Sequence, residues 1–583
     1  MVVVTQRRGS AAIPDVAGMM PPSSRETIDL AVEELQQHKH EWAALSVQER
    51  LAVLDKLHRG FARVTERWVA SALAAKGITP GTPTEGEEWL QGPFLILRNL
   101  RLLRRALEDI ARFGRPRIPG RVRTRPDGQV VARAFPADTY DRLLFRGMTA
   151  DVWMEPGVTA ADLAATQALA YRNGPPPGKV ALVLGAGNVT SIGPMDALYR
   201  LFVEKQVVLL KMNPVNAYLG PLIVEACRAL GDRGFLHVVY GGALEGEYLC
   251  RHAGVEEIHV TGSDRTHDAI VFGGGPEGAR RKTERRPLLT KRITSELGNV
   301  SPVIVVPGPW SAGDIAFQAA NIAAQLVNNA GFNCNAARVI VQHAAWAQRD
   351  ELLRALRTVL AAIPLRQAYY PGAAERAQAY LARHPDADRI GRPREGELPW
   401  ILAAGLDPSE RDDICFDSEA FCGLTAETQL PGADTAEFLE RAVAFANETL
   451  WGNLSACLIV HPASLRDART AAAVERAVAE LRFGTVAINL WPAVGYAAVT
   501  TPWGGFAGST IFDVRSGIGE VHNTLMFSRV QKGVAYGPFR TWPTPPWFPT
   551  CRTAHTLCRN LTRFEERPSL LRLARVFSAA IRG

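Results

Sequence analysis

Cysteine is scarce in this 583-residue chain, and its placing has no pattern. Eight residues, at 227, 250, 334, 415, 422, 457, 551 and 558, form no CxxC pair and no metal-ligand spacing. That excludes a disulfide framework and a zinc-ribbon class, and free thiols predict a reducing, cytoplasmic setting. Long hydrophobic runs are missing too: no segment reaches the ~18 consecutive apolar residues of a membrane span. The opening MVVVTQRRGSAAIPDVAGMMPPSS has no apolar signal core, so residues 1–24 read as a flexible lead-in. There is no internal repeat, and none of the twelve histidines lies in a motif.

Most of the chain also lacks a net charge. The formal charge is +7, and residues 531–583 alone hold nine basic and two acidic side chains, so residues 1–530 balance. No nucleic-acid-binding core is indicated. Any basic surface belongs to the tail, which opens Pro/Trp-rich (PFRTWPTPPWFP) and ends in a basic amphipathic helix, LTRFEERPSLLRLARVFSAAIR. Such a helix suits packing on the body of the protein first, and weak contact with an anionic membrane surface second.

What is present is ordinary globular material, 47% apolar and 21% charged. Residues 25–113 place apolar side chains at three- and four-residue spacing, and in SVQERLAVLDKLHRGF Ser46 and Glu49 stand as a capping box. RVRTRPDGQVVARA (121–134) predicts a hairpin turning at Pro126-Asp127-Gly128. From KVALVLGAGN onward strands and helices alternate, with one helix expected over NAYLGPLIVEACRAL. A second α/β stretch runs through SPVIVV, helix 312–328, ARVIVQ, helices 347–362 and 435–449, SACLIV and FGTVAIN. The fold class is therefore α/β, with doubly wound, mainly parallel sheets that receive ligands at the carboxyl ends of their strands.

Several strand ends carry chemistry. LGAGNVTS gives Gly185-x-Gly187, but Thr190 stands where a dinucleotide fingerprint needs its third glycine. Asn188 just beyond can donate an amide hydrogen bond to an oxyanion. Lys211 ends the next strand ahead of Asn213-Pro214, and Gly262-Ser263 in HVTGS leads from strand to helix, a setting that offers backbone amides to phosphate. Glu296 precedes Gly298 in SELGNVSP. Cys334, in NNAGFNCNAARVIV, sits at a helix-to-strand turn where a thiol is exposed enough to act as a nucleophile, although no partner is assignable by spacing.

In this order the motifs resemble the aldehyde dehydrogenase superfamily over roughly residues 40–530. Asn188 stands where the family has the asparagine of PWNFP, with Lys211 at the family's spacing beyond it. HVTGS resembles FTGS, SELGNVSP resembles LELGGKSP, and DSEAFCGL resembles EEIFGPV. FGTVAINLW and TPWGGF are similar to GTVWVN and PFGGFK, and WAALSVQERLAVLDKL to the family's first helices.

The resemblance implies two Rossmann-like domains with a small β-hairpin oligomerisation element. The cofactor-binding domain would span 25–117 and 178–297, with an oligomerisation hairpin at 118–140 and a connector at 141–177. The catalytic domain would span 298–490, followed by a return segment and oligomerisation strand over 491–530 and the tail, 531–583. Cys334 becomes the nucleophile, Glu296 the general base and Asn188 the oxyanion donor. Lys211, Gly187, Pro214, Gly262, Ser263, Glu419 and Phe421 fall on cofactor-binding positions. NAD or NADP is the implied cofactor, a small aldehyde the substrate and a homodimer the assembly, with no metal. Asn328, Asn333 and Asn335 around the nucleophile, with Asp196 in a pocket position, imply a polar or amino-bearing aldehyde.

The departures from the family pattern are Asn299 after Gly298, Cys422-Gly423-Leu424 in place of GPV, and Arg338 one residue early. A basic insertion covers 272–292, and Pro214 stands where a cofactor-selecting glutamate is usual, which opens NADP. They leave two alternatives to hydrolytic oxidation: a coenzyme-A-acylating dehydrogenase, or a weakly active nucleotide-binding scaffold.

Overall fold

The computed structural model describes residues 9–172 and 174–583, so the first eight residues of the lead-in and residue 173 of the NGPPPGK connector lie outside the described residues. Helices Arg25–Ala44, Val47–Ala75 and Leu95–Phe113 realise the early periodicity. Ser46 accepts the Glu49 N–H while the Glu49 carboxylate takes the Ser46 N–H at 2.8 Å, which satisfies two donors that a helix start leaves open. The buried face of the second helix, Leu54, Leu57, Phe61 and Trp68, packs into the core of a six-stranded sheet.

That sheet runs Leu236–Val239, Val207–Lys211, Val180–Leu184, Glu257–Gly262 and Arg292–Leu297 in parallel, with Gly517–Ile518 as a short antiparallel edge. Its strands are almost continuously buried, as parallel strands covered on both faces require. The single helix expected over 216–230 is three short pieces, Pro214–Leu219, Gly220–Ala226 and Arg228–Gly231. Pro214 and Pro221 each remove a backbone donor, and Asn216 leaves helical geometry at φ −121°.

The second sheet has eleven strands. Seven run parallel, in the order Trp400–Leu406, Leu424–Leu430, Ala337–His343, Ser301–Val305, Ser455–Ile459, Thr485–Ile488 and Val530–Tyr536. Two expectations change here. The boundary drawn at 530/531 cuts through strand Val530–Tyr536, which lies inside the sheet. The hairpin Val122–Thr124 and Val130–Phe135 joins this chain's own sheet, because Thr149–Met154 pairs antiparallel with both Val130–Phe135 and Val530–Tyr536. The hairpin expected to serve oligomerisation thus extends a sheet of its own chain.

The tail is part of the body. Leu557, Leu561, Phe564, Leu573 and Val576, from helices Ala554–Glu566 and Leu570–Ile581, enter the core of the first domain. Buried Glu565 pairs with Arg98 at 3.1 Å and with Arg101, and Arg98 also grips Asp141 at 2.7 Å. Arg559 and Arg563 meet Glu66, and Arg572 meets Glu566. Lys532 is buried and donates to the carbonyls of Val478, Ala479 and Leu481 at 2.7–3.0 Å, so it caps the end of helix Ala468–Glu480. Burial pushes its pKa down to about 7. Of the tail's nine basic residues only Lys532 is buried, and six arginines are exposed together with Leu570, Leu571 and Ile581.

The basic insertion is also ordered. Helix Gly275–Thr283 pairs Arg280 and Arg281 with Glu277 and Lys282 with Asp268. Among the described residues no helix is long and apolar enough to cross a membrane.

Glu565 joins the tail to the core through a buried network. Glu565→Ala leaves two arginines short of their counter-charge, and urea unfolding should show a loss of about 3–5 kcal/mol. A loss near zero would mean that the tail docks through its apolar face alone.

Candidate active site

Cys334 is the one cysteine of the eight that is not buried. It follows helix Ala312–Val327 and a tight turn over Asn328–Gly331, and precedes strand Ala337–His343, the helix-to-strand turn read from the sequence. The turn holds three successive left-handed residues, Asn329 (φ 52°), Ala330 (φ 55°) and Gly331 (φ 81°). For alanine that conformation costs free energy and persists only where the surroundings impose it. At Gly331 a Cβ would lie 2.5 Å from the Cys422 carbonyl oxygen, so only glycine fits.

The surroundings impose it through an unusually polar core. Lys76, at the end of the second helix and 3% exposed, pairs with buried Glu88 at 2.8 Å. Its ammonium also donates to the Asn188 carbonyl (3.2 Å) and to Asn329 Oδ1 (3.0 Å). The Tyr369 hydroxyl donates to Asn329 Oδ1 at 2.8 Å, and Asn329 Nδ2 donates to the Asn188 and Phe332 carbonyls. Gln91 and Asn333 both reach Asn328 Oδ1. From the other side, the Arg338 guanidinium donates to the carbonyls of Gly331 and Cys422, both at 2.6 Å, and so ties the cysteine loop to the Glu419–Cys422 loop. The amides of Asn328 and Asn333, expected to edge a substrate pocket, therefore brace the loop.

The Cys334 thiol interacts electrostatically with the Glu296 carboxyl group, which stands near the end of strand Arg292–Leu297 and accepts the Trp503 indole N–H at 3.1 Å. Trp503, Leu454 and Val521 form the apolar wall against which Cys334 and Tyr496 pack. Burial pushes the Glu296 carboxyl up to about 8, with Asp196 and Glu419 adding like charge. Burial, then Glu296 and Glu419, push the thiol well above the ordinary cysteine range. The resting pair is accordingly a neutral thiol facing a largely protonated acid at neutral pH. Asn188 Nδ2 donates one hydrogen to the Phe332 carbonyl at 2.9 Å, two residues ahead of the cysteine; its amide carries a second.

The remaining expected residues line the carboxyl ends of the six-stranded sheet. Lys211 is buried and donates to the Gly241 carbonyl at 2.6 Å, with its pKa lowered by burial. Gly187 is closed in by the Asn213–Val215 turn, since a Cβ would lie 2.5 Å from Asn213 Oδ1. Pro214 opens that turn. Gly262 is exposed, and Ser263 caps helix Asp264–Phe272 through its hydroxyl. Glu419 is buried, with burial raising its pKa to about 8 and one carboxyl oxygen, Oε1, unpaired. Phe421 is buried in an aromatic cluster, 5.0 Å from Tyr370 and 6.0 Å from Phe332 between ring centroids.

Asp196 is 1% exposed; one carboxylate oxygen accepts the Thr261 hydroxyl at 2.8 Å, and the other has no hydrogen-bond partner. Sequence reasoning missed Lys76, Glu88, Tyr369 and Arg376, which lie outside the motifs; Trp503 was within TPWGGF but unmarked. One His384, Asp413 and Cys415 cluster brings three possible metal-ligand atoms within 4.8 Å, but Asp413 Oδ1 already caps Cys415 and accepts from His384.

Comparison with known proteins shows what this parallel sheet, with a cysteine, an acid and an amide at its loops, is similar to. Residues 168–379 match the aldehyde dehydrogenase family model. A 4-trimethylaminobutyraldehyde dehydrogenase from Rattus norvegicus is 28% identical over 324 residues, 51% of this chain and 58% of that one. Aldehyde dehydrogenase LUC3 from a Fusarium species is 28% identical over 161 residues, 27% of this chain and 32% of that one. The chain thus matches less than two thirds of the length of these relatives. Among solved structures, aldehyde dehydrogenase C from Pseudomonas syringae, complexed with NAD+ and octanal, shares the fold at TM-score 0.60 and 16% identity, covering 91% of this chain and 93% of that one. A Mycobacterium tuberculosis aldehyde dehydrogenase complexed with NAD+ gives TM-score 0.59 at 17% identity, covering 90% and 92%. Residues 168–379 are thus similar to the aldehyde dehydrogenase family, and the chain shares the fold of the solved aldehyde dehydrogenases.

Lys76→Met leaves Glu88 buried without a counter-charge and should cost about 3–5 kcal/mol in urea unfolding. The pair Lys76→Met with Glu88→Leu should recover most of that loss, yet thiol-reagent access to Cys334 should stay altered, because the Asn188 carbonyl and Asn329 have lost a shared donor. Unaltered access in the refolded pair would make Lys76 purely structural.

Because the folded pKa of Glu296 lies above its unfolded value, its contribution to stability is present below about 4.5 and is lost as pH rises through about 8. The fall in Tm between about pH 6 and about pH 9 should therefore be smaller in Glu296→Gln than in the parent. Equal falls would put that ionisation outside this window.

Proposed function

We propose that the protein oxidises an aldehyde to a carboxylic acid through a covalent cysteine intermediate. The observation that carries the reading is the Cys334 thiol, on a turn fastened to Asn188, in electrostatic contact with the buried Glu296 carboxyl group. Glu296 in its ionised form takes the thiol proton, and the Cys334 sulfur attacks the aldehyde carbon. The oxyanion of the resulting thiohemiacetal accepts the free Asn188 N–H and the Cys334 backbone N–H. Loss of hydride leaves a thioester; Glu296 releases the thiol proton to solvent, then takes a proton from the water that attacks the thioester, and acid and free thiol are released.

NAD or NADP supplies the hydride acceptor when bound. The residues fit such a group: Glu419 offers an unpaired buried carboxyl oxygen, Gly262 leaves open space at the start of helix Asp264–Phe272, and Lys211 stands at the end of its strand. Lys211 and Glu419 would hold the riboses, Gly262 and Ser263 the diphosphate, with Gly187, Pro214 and Phe421 closing the cleft. Pro214 brings no carboxylate to repel a 2′-phosphate, so NADP is accommodated as well as NAD.

The substrate is a short aldehyde with a cationic or hydrogen-bonding tail. Supporting this, Asp196 keeps an unpaired buried oxygen, interacts electrostatically with Tyr496 and Glu296, and Tyr496 stacks edge-on with Trp503 at 5.4 Å. The cytoplasmic setting belongs to the same proposal.

The deciding experiment follows nucleotide reduction with NAD and NADP over a panel of amino, trimethylamino and alkyl aldehydes. Cys334→Ala should abolish turnover, and Asn188→Ala should lower kcat about a hundred- to a thousand-fold. Glu296→Gln should lower turnover steeply, because both the thiol and the attacking water lose their base. Acid as product establishes the hydrolytic route; turnover only with coenzyme A would move the assignment to an acylating dehydrogenase, and none at all to a scaffold.

A further inference from the structure

The lead-in, expected to be flexible, is docked from residue 9 onward. Gly9 makes a parallel bridge beside Ser418, its N–H donating to the Asp417 carbonyl (3.0 Å) and its carbonyl accepting the Glu419 N–H (3.1 Å). Ser10 is 2% exposed; its N–H donates to Asp264 Oδ1 at 3.0 Å, and its hydroxyl accepts the Asp264 N–H at 3.2 Å. The Asp264 N–H belongs to the first residue of helix Asp264–Phe272, at the terminus where an anion gains most from open amides. Ala11, 4% exposed, lies beside the Glu419 carboxyl group, whose pKa its backbone amide lowers, and the Ala12 carbonyl accepts from Arg376 at 3.0 Å. Beyond it the chain passes Gly242, where a Cβ would lie 3.2 Å from the Asp15 carboxylate, then Pro214, which lies against Gly18. It leaves by pairing Ser23 with Tyr240.

This path passes the carboxyl ends of strands Glu257–Gly262, Val207–Lys211 and Leu236–Val239 of the open parallel sheet, the place where such sheets take their ligands. It meets in turn Glu419, the Asp264 helix start beside Gly262-Ser263, Asp15 acting electrostatically on Lys211, and Pro214. We infer that Gly9–Ala11 and the strap behind it form a built-in competitor that occupies the dinucleotide cleft and withdraws when dinucleotide binds. The inference rests on the cofactor assignment proposed above. The strap is built for release: only Gly9, Ser10 and Ala11 are buried, residues 12–17 are exposed, and Ile13, Val16 and Met19 leave apolar surface in water. Its hold is mostly backbone hydrogen bonds, each of which water replaces at little net cost.

The test compares the full chain, a variant lacking residues 2–16, and full-length Ala11→Asp, which sets a charge against Glu419 without shortening the chain. NAD and NADP binding is read by calorimetry, and amide exchange of residues 9–24 by mass spectrometry. Both variants should bind dinucleotide about ten-fold more tightly, since a competent state populated a tenth of the time weakens apparent affinity by that factor. In the full chain, dinucleotide should accelerate exchange at Ser10 and Ala11. Equal affinities in all three proteins with unchanged exchange would overturn the competition and leave the cofactor assignment standing. Absence of binding in all three would overturn both. The point variant keeps the test decisive if the truncated chain fails to fold.

Discussion

Three residues in left-handed conformation, Asn329, Ala330 and Gly331, set the position of everything chemical in this chain. An isolated turn of this kind would relax, because an alanine with positive φ pays for its crowded Cβ. Here Lys76, Tyr369 and Asn188 grip its near side, and Arg338 grips its far side. The groups come from the helical N-terminal region, the six-stranded sheet and the eleven-stranded sheet. The cysteine is therefore placed by the docking of the two sheets and the helices that cover them, and its orientation toward Glu296 depends on all three being assembled.

Much of this arrangement was legible because the residues concerned sit where chain order and geometry coincide. Asn188, Lys211, Ser263 and Glu296 each stand at or just beyond the carboxyl end of a parallel strand, and a parallel sheet gathers all such ends on one edge. Four points scattered over a hundred residues thus converge without any sequence signature beyond strand, turn, helix. The turn before Cys334 could be read from Gly331 and the following β-branched run for the same local reason.

The unread parts depend on non-local pairing. Strand Val530–Tyr536 carries Lys532 and Gly533 in its middle, which argues against a central strand, and its place is fixed by neighbours from Thr485–Ile488 and Thr149–Met154. Lys532 is tolerated there because three carbonyls at a helix end accept its ammonium. Lys76 and Glu88 look like two surface charges on consecutive helices until Asn188 and Asn329 are brought against them. The docking of Gly9–Ala11 is carried mainly by backbone atoms, and backbone bonds leave no mark on composition: a stretch rich in Gly, Ser, Ala and Pro reads as a linker whether or not it has a groove to lie in.

The electrostatics of the site follow from how the two acids are buried. Glu296 and Glu419 are both driven to about 8, and the thiol between them is driven higher still, so each negative charge raises the cost of the next. Arg338 and Arg376 act on Glu419 and still do not outweigh its desolvation. Glu296 and Cys334 each keep a proton at neutral pH, and that arrangement is stable while the cleft stays uncharged. A cation entering beside them would favour the ionised form of all three groups together, because each interacts with the same small volume. The strap brings no such charge near the pair: Ser10 and Ala11 are neutral, and their contacts with Asp264 and Glu419 are made by backbone amides and one hydroxyl. With the strap in place the Cys334 thiol therefore keeps its proton, whereas a positive charge beside Glu296 and Cys334 would favour their ionised forms.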